Sequence, residues 1–229
     1  MAENTYPGIA CDVSAHWYTY SFARNPEWDR LMAPGAKIQA YFEKVFADHD
    51  LAAVTRFGDE VTALTYDDAG QWDLATASGH KDRFDVVVVA TGFLHHPNVP
   101  EFEGLETFEG AVFHSARWDH DVAVDGKKVG VVGTGSTAAQ LTVALVERAS
   151  QFRLFQRTAQ WVMHRPNPAY TEEEKALFRS DPAALAALIE TLKARTLDGY
   201  STAVLDVDSP EYAKMEQLCQ ENLAYRPRP

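Results

Sequence analysis

The sequence predicts an α/β fold, and three consecutive segments carry this prediction. Residues 129–132 form an apolar run that is typical of a buried parallel strand. Residues 133–138 follow with the pattern G-x-G-x-x-A, and residues 137–149 continue as an amphipathic helix. Residues 152–155 form a second apolar strand. Strand, glycine-rich loop, helix and strand in this order make up a Rossmann-like dinucleotide-binding unit.

The glycine-rich loop has small residues at the positions where a pyrophosphate needs them. Gly133 permits the tight turn from strand to helix, and Gly135 lets backbone amides approach the phosphates without an intervening Cβ. Ala138 allows the helix to pack close to its strand, and the positive end of the helix dipole faces the phosphates. The motif alone is also compatible with a turn that binds nothing, but the flanking elements favour binding. The other candidate cofactor-binding residues of this unit are Thr134, Ser136, Thr137 and Gln140.

The residue that follows the second strand indicates which nucleotide binds. A NAD-binding unit usually carries an acidic residue there, about 20 residues beyond the loop, to bind the ribose hydroxyls. This sequence has Arg157 instead, and a guanidinium suits a 2′-phosphate. We therefore predict NADP as the nucleotide, with an ordinary surface arginine as the alternative interpretation of Arg157.

The N-terminal part of the chain is rich in aromatic residues. Tyr6-Pro7-Gly8 predicts a turn, and Trp17, Tyr18, Tyr20 and Phe22 follow within a short span. These rings suit either a hydrophobic core or the face of a planar ligand, and composition alone favours core packing. Next, Pro34-Gly35 introduces a helix that ends near residue 50, with one apolar face formed by Ile38, Tyr41, Phe42 and Val45.

The middle of the chain changes to the two-residue period of strands. Residues 54–57, 61–66 and 72–77 are predicted as short antiparallel strands of a meander, with turns at residues 67–70 and 78–79. Residues 86–90 form a continuous β-branched run, which predicts a central parallel strand buried on both faces.

The last part of the chain turns helical, and three start signals mark its helices. Thr171 and Glu174 fit a capping box, Asp181-Pro182 fits an N-cap followed by proline, and Ser209-Pro210 repeats that arrangement.

Composition excludes several function classes. The 229 residues include 21 Lys and Arg against 33 Asp and Glu, which gives a net charge of −12 and argues against a nucleic-acid partner. Cys11 and Cys219 are the only cysteines and do not make a disulfide framework. The start of the chain lacks the features of a signal peptide, and no stretch is long and apolar enough to span a membrane. We expect a soluble, cytoplasmic protein with no membrane partner, and the sequence sets no oligomeric state.

Four histidines raise the question of a metal site. His95, His96, His114 and His120 lie near two aspartates, but no pair has the i, i+4 spacing of a helical metal site. We predict no metal ion and interpret these residues as turn histidines.

A longer signature precedes the glycine-rich loop. Phe108, Gly110, His114, Trp118 and Asp119 fit the pattern F-x-G-x-x-x-H-x-x-x-W-D. This pattern closely resembles the fingerprint of the Baeyer–Villiger monooxygenases, which belong to the wider family of flavin-containing monooxygenases. Packing of a linker is the alternative interpretation of these residues.

The resemblance extends to both cofactors. The segment Y-P-G-x-x-C-D at residues 6–12 and the segment Y-x-x-S-F at residues 18–22 are similar to the family's lining of one side of FAD. By this match Asp12 is the catalytic residue that orients the family's arginine. The resemblance also implies that Arg157 and Thr158 bind the 2′-phosphate of NADP, while His114 and Trp118 couple the domains. The flavin-side binding residues that it implies are Cys11, Asp12, Tyr18 and Val61.

The implied fold is a partial two-dinucleotide-binding-domain flavoprotein fold of the α/β class. It combines a Rossmann-like NADP domain with an incomplete FAD domain that carries the β-meander. We expect residues 1–92 in the FAD domain, residues 93–118 in a linker with the fingerprint, and residues 119–229 in the NADP domain. A helical insert is expected at about residues 171–225, as is usual in the family, with plain surface helices as the alternative.

The family's own glycine-rich loop for FAD, which would be expected before Tyr6, is not found in the sequence. The family's catalytic arginine is not assigned to Arg226 or Arg228, because both lack the expected neighbours. We therefore expect that the strand at residues 86–90 has an unpaired edge, that FAD binds weakly and that the chain alone is inactive.

The function implied by the resemblance is FAD- and NADPH-dependent oxidation of a ketone to an ester or lactone. Oxygenation of nitrogen or sulfur centres is one alternative, although Trp118-Asp119 argues against it. A non-catalytic NADP-binding fragment and a flavin-free reductase are the others. The reductase lacks support because the sequence has no Y-x-x-x-K pair to supply a proton donor.

Overall fold

The computed structural model of the chain describes residues 4–92, 96–158, 160, 166–196 and 202–224. Two compact units are present, one formed by residues 1–42 with 109–229 and the other by residues 43–108, each as far as it is described. We call them the first unit and the second unit. The histidine at position 95, the end of the predicted insert at position 225 and the arginines at positions 226 and 228 lie outside the described residues.

The chain begins with irregular structure that leads into a helix. A short 3-10 helix spans Ala15–Tyr18, and helix α1 spans Gly35–Asp48. The predicted apolar face of α1 is confirmed for Ile38, Tyr41 and Val45, which are buried, but is wrong for Phe42, which is 39 % exposed.

The second unit contains the predicted meander. Strands β1 (Val61–Tyr66), β2 (Trp72–Thr76) and β3 (Lys81–Phe84) form one antiparallel sheet in chain order. The Asp67–Gly70 turn and the Ser78–Gly79 turn connect them as the sequence predicts. The prediction of a meander is confirmed, and its third strand is β3.

The predicted strand at residues 54–57 is wrong. Leu51–Val54 forms a 3-10 helix, and no described residue of the segment 54–57 belongs to a strand. Asp50 adopts a left-handed conformation with φ of 49°, and the Thr55 hydroxyl donates to the carbonyl oxygen of Leu51 at 2.7 Å. These local bonds satisfy the backbone in a helical turn, which competes with extended pairing.

The predicted buried strand at residues 86–90 is also wrong for this chain. The segment forms no ladder with any described residue, and Val86, Val88 and Val89 are 75, 81 and 69 % exposed. A β-branched run becomes a strand when a neighbouring strand pairs with its backbone, and no described segment of the second unit provides that neighbour.

The nucleotide-binding pattern of the first unit folds as predicted. Strand β4 (Lys128–Val132) and strand β5 (Gln151–Phe155) form a parallel pair, and helix α2 (Ser136–Leu145) connects them. Helix α2 buries Ala138, Leu141 and Leu145 against the sheet side. It ends at Leu145, four residues before the predicted end, and its last carbonyl groups are satisfied by turns up to Ala149.

The described residues that follow form the helices α3 (Glu172–Ser180), α4 (Pro182–Ala194), α5 (Thr202–Leu205) and α6 (Pro210–Ala224). The start signals at all three predicted positions are confirmed. Thr171 and Glu174 form the reciprocal capping box. The Asp181 side chain accepts from the amides of residues 183 and 184, and the Ser209 hydroxyl oxygen accepts from the amide of Tyr212.

Among the described residues, no helix combines the length and apolar character needed to cross a bilayer. In the same part of the chain, His, Cys, Asp and Glu side chains form no group of three or more that could hold a metal ion.

Candidate functional site

The glycine-rich loop leaves open space where a ligand's phosphates are expected. Gly133 has φ of 114°, a conformation that side chains disfavour, and its amide donates to the carbonyl oxygen of Phe155 at 2.9 Å. Gly135 has extended backbone and forms the N-cap of α2. A methyl group placed on either glycine would meet no atom within 4 Å, so the backbone is accessible from that side.

The N-terminus of α2 presents amides that no side chain caps. Gly135 cannot supply a capping side chain, and Ser136 and Thr137 form the first helical positions. The first N–H groups of a helix lack partners within the helix and carry the positive end of its dipole. Together with the open glycines, this chemistry fits a pyrophosphate.

Arg157 and Thr158 lie at the same edge of the sheet as the loop. In the parallel pair Val132 lies opposite Phe155, so β4 and β5 end side by side. Arg157 follows two residues beyond the end of β5 and is exposed, as is Thr158. A guanidinium at this edge offers a local positive charge in a chain with a net charge of −12, which suits an additional phosphate.

The N-terminal turn packs directly on helix α2. Tyr6 contributes its ring to a core cluster with Leu141 and Leu145, and its hydroxyl donates to Gln140 Oε1 at 2.8 Å. Gly8 has φ of 83°, and a methyl group on it would lie 2.8 Å from the carbonyl oxygen of Gln140. Sequence reasoning identified the turn but missed this contact, because Tyr6-Pro7-Gly8 indicates a turn without indicating its partner.

The contact brings Asp12 to the glycine-rich loop. Ser136 Oγ donates to Asp12 Oδ2 at 3.3 Å, although the two residues are 124 positions apart in the sequence. Asp12 is exposed, whereas Cys11 beside it is buried. Tyr18 is half-buried, and burial, followed by the charges of Asp12 and Cys11, raises the pKa of its hydroxyl. Asp12 thus lies at the N-terminal end of α2, and Cys11 and Tyr18 lie close to it.

A second contact ties this segment to helix α3, and nothing in the sequence predicted it. His16 is 3 % exposed, its Nε2 lies 3.2 Å from the Tyr170 hydroxyl, and its ring packs edge-on against Phe178. Burial lowers the pKa of His16 to about 4. Burial, with a smaller contribution from Glu174, raises the pKa of Tyr170 to about 12. Both rings are therefore neutral near pH 7.

The fingerprint residues take different positions. Trp118 packs against the core cluster of Tyr6, and its ring meets Phe113 edge-on at 5.1 Å. His114 caps a 3-10 helix, with Nδ1 accepting from the amide of residue 116 at 3.0 Å. Asp119 Oδ1 accepts from the amide of residue 121, and Gly110 is exposed. Phe108 lies in the second unit and is 62 % exposed.

The remaining predicted flavin-side residues are exposed. Val61 begins β1 in the second unit and is half-exposed. In the first unit Tyr20 and Phe22 stack at a centroid distance of 5.0 Å and are 46 and 67 % exposed. Core packing, which composition favoured for these rings, is wrong for Tyr20 and Phe22.

The chain is similar to known monooxygenases. Residues 5–175 match the FMO-like family, which is described as flavin-binding monooxygenase-like. An uncharacterized monooxygenase of Mycobacterium tuberculosis (strain H37Rv) is 45 % identical over 180 residues, which cover 79 % of this chain and 36 % of that protein. A Baeyer–Villiger monooxygenase of Streptomyces coelicolor is 44 % identical over 182 residues, covering 79 % of this chain and 35 % of that protein.

The crystal structure of cyclohexanone monooxygenase from Rhodococcus sp. Phi1 bound to NADP⁺ superposes with a TM-score of 0.69 at 34 % identity. The match covers 79 % of this chain and 35 % of that chain. The chain thus spans about a third of the length of the relatives it matches. Its fold is a part of the two-dinucleotide-binding-domain fold of the flavoprotein monooxygenases. The family match, the sequence identities and the shared fold show that the chain belongs to the flavin-binding monooxygenase-like family of oxidoreductases.

Proposed function

We propose that this chain belongs to an FAD- and NADPH-dependent Baeyer–Villiger monooxygenase that oxidises a ketone to an ester or lactone. The observation that carries the proposal is the hydrogen bond between Ser136 and Asp12. It places a carboxylate from the segment that matches the flavin side beside the N-terminus of the helix that suits a nucleotide. A protein that only binds NADP has no need for this pairing.

The glycine-rich loop binds the pyrophosphate of NADPH. Gly133 and Gly135 leave room for close approach, and the first amides of α2 donate to the phosphate oxygens. Arg157 binds the 2′-phosphate through charge-assisted hydrogen bonds, and Thr158 adds a hydroxyl donor at the same edge. These contacts orient the nucleotide along the end of the β4–β5 pair.

The chemistry that bound FAD and NADPH supply is hydride transfer and the activation of oxygen. In this proposal the side chain of Asp12 holds the guanidinium of the family's catalytic arginine by charge and hydrogen bonding. Cys11 and Tyr18 of the first unit line the flavin side, and the assignment of Val61 in the second unit rests on the resemblance alone. The fingerprint residues His114 and Trp118 couple the two dinucleotide-binding domains, which we expect at residues 1–92 and 119–229 with the linker at residues 93–118.

The proposed substrate is a ketone, because a related cyclohexanone monooxygenase binds cyclohexanone in its crystal structure. The observations on this chain do not favour a nitrogen or sulfur centre. A cyclic ketone and a thioether offered in the same assay distinguish the two activities.

Two experiments test the proposal. Calorimetry on the chain should show tighter binding of NADP⁺ than of NAD⁺, and equal affinities would contradict the nucleotide assignment. For catalysis, the matched segment of the Streptomyces coelicolor enzyme is replaced by residues 5–175 of this chain. With FAD and NADPH, this chimera should convert cyclohexanone to its lactone.

In the chimera, Asp12→Ala should lower turnover by roughly a hundredfold or more, because a group that orients the catalytic arginine acts on the transition state. Asp68→Ala removes a carboxylate from an exposed turn and serves as the matched control. Full turnover by the Asp12→Ala chimera, or an active chimera that oxidises only the thioether, refutes the proposed role.

A further inference from the structure

Gln140 uses its side-chain amide to hold one turn of the chain. Its Oε1 accepts from the Tyr6 hydroxyl at 2.8 Å and from the amide of Ala10 at 3.4 Å. Its Nε2 donates to the carbonyl oxygen of Ala10 at 3.0 Å. An amide oxygen has two acceptor positions, and both are used here. The amide oxygen is therefore fully committed to the turn at residues 6–10, and the amide nitrogen also donates to it.

The backbone of the same turn touches α2 without an intervening side chain. A methyl group on Gly8 would lie 2.8 Å from the carbonyl oxygen of Gln140 and 3.0 Å from the Cβ of Ala144. Only glycine permits this approach in this backbone conformation. The position of the turn along the helix is thus fixed by sterics as well as by hydrogen bonds.

Gln140 lies four residues after Ser136, so the two side chains share one face of α2. Ser136 is hydrogen-bonded to Asp12, and Gln140 is hydrogen-bonded to Tyr6 and Ala10. These bonds attach both ends of the segment 6–12 to that face of α2. We propose that Gln140 is a positioning residue, which fixes Cys11 and Asp12 relative to the phosphate-binding end of α2 without binding the nucleotide itself. The importance of this role rests on the function proposed for Asp12.

Removal of the Gln140 amide has a local consequence. The Tyr6 hydroxyl and both polar groups of the Ala10 backbone lose their partner, and a part-buried polar group without a partner destabilises the closed state. The segment then opens more often while the rest of the unit stays folded. Cys11 is 4 % exposed and adjacent to Asp12, so its thiol reports on this opening.

The test uses the two cysteines of the intact chain. Native protein is treated with iodoacetamide, and labelling of Cys11 and Cys219 is measured separately by mass spectrometry of the digest. Cys219 is also 4 % exposed and lies on α6, which packs against α5, so its labelling reports on a part of the unit other than the turn. In Gln140→Leu we expect the labelling rate of Cys11 to rise on the order of tenfold, with that of Cys219 unchanged.

Gln217→Leu is the matched control, because the Gln217 amide makes a single exposed bond to Glu221 on α6. It should change neither labelling rate. Tyr6→Phe keeps the buried ring and removes only the hydroxyl. It should raise the labelling rate of Cys11 by a smaller factor. If Gln140→Leu unfolds and both of its cysteines react fast, Tyr6→Phe shows instead whether the bond between Gln140 and Tyr6 protects Cys11.

Unchanged Cys11 labelling in a folded Gln140→Leu variant overturns the proposal, as does unchanged labelling in Tyr6→Phe if Gln140→Leu is unfolded. The affinity of each variant for NADP⁺ is measured in parallel, and we expect it to stay within about threefold of the unmodified chain. A large loss of affinity without faster Cys11 labelling would make Gln140 a nucleotide ligand instead. Failure of the unmodified chain to bind NADP⁺ refutes the proposed function, whereas the labelling result does not depend on bound nucleotide.

Discussion

The buried pair of His16 and Tyr170 predicts how the stability of the first unit depends on pH. His16 is almost fully buried and its pKa is lowered to about 4, so the folded chain resists protonation of this ring. The unfolded chain takes up the proton near the ordinary value of 6.5. The contribution of His16 to stability is therefore complete above pH 6.5 and is lost as the pH falls towards 4.

The size of the loss follows from the two pKa values. At about 1.4 kcal/mol for each pH unit between 6.5 and about 4, the full loss is about 3 kcal/mol. Between pH 7 and pH 5 most of this range is crossed, and the expected loss there is about 2 kcal/mol. Tyr170 does not titrate in this window, because its pKa is raised to about 12.

The assay is urea denaturation followed by tryptophan fluorescence at pH 7, 6 and 5. Other groups titrate in the same range, so the informative quantity is the difference between the unmodified chain and His16→Gln. Glutamine can still bond to the Tyr170 hydroxyl but carries no titratable proton. The free energy of unfolding of His16→Gln should fall by about 2 kcal/mol less between pH 7 and pH 5.

His120→Gln provides the control, because His120 is exposed and bonds to Thr5 at the surface. Its stability should follow the pH dependence of the unmodified chain. Parallel curves for the unmodified chain and His16→Gln would refute the reasoning, since they would mean that His16 has the same pKa in the folded and unfolded states.

Three further predictions concern the nucleotide, the N-terminal turn and the flavin. Arg157→Ala should weaken NADP⁺ binding by about 1–3 kcal/mol in calorimetry, while NAD⁺ binding changes little. Arg153→Ala removes the same charge from β5 and should not weaken NADP⁺ binding. Equal effects of the two substitutions would contradict the 2′-phosphate contact. In urea denaturation, Gly8→Ala should destabilise the chain by about 1–3 kcal/mol more than Gly126→Ala. Both glycines have positive φ, but of the two only Gly8 approaches another backbone. Equal losses in the free energy of unfolding would exclude the close packing. The purified chain should carry less than one FAD per chain, because its sequence contains a single G-x-G-x-x-A loop. The visible absorbance of the purified protein measures this ratio. One FAD per chain would show that other contacts suffice to bind FAD.

The elements that sequence reasoning predicted correctly are those whose causes are local. The unit of β4, α2 and β5 is encoded by the period of its apolar residues and by the spacing of its glycines, all within about 30 residues. The capping box of Thr171 with Glu174 is encoded within a single turn of helix. Such signals need no knowledge of the remainder of the chain.

The failures have non-local causes. The β-branched segment 86–90 has strand propensity, but pairing requires a neighbour that the described residues do not provide. His16 contacts Tyr170, which lies 154 positions away in the sequence, and neither residue belongs to a motif that indicates this contact. The bonds of Gln140 to the turn also join residues 130 positions apart, so no local signal indicates them, and its assignment as a cofactor-binding residue stays a prediction.

The contact of Gly8 with helix α2 has a consequence for the order in which the protein folds. The turn at residues 6–10 cannot dock until Gln140 and Ala144 have been synthesised, and ribosomes add about 5–20 residues per second. During synthesis, roughly ten seconds therefore pass between the turn and helix α2, and the ring of Tyr6 stays exposed to solvent for that time. Contacts of this sequence separation also close slowly, because a long loop must be ordered first. The segment that carries Asp12 therefore reaches its native position only after helix α2 has been synthesised.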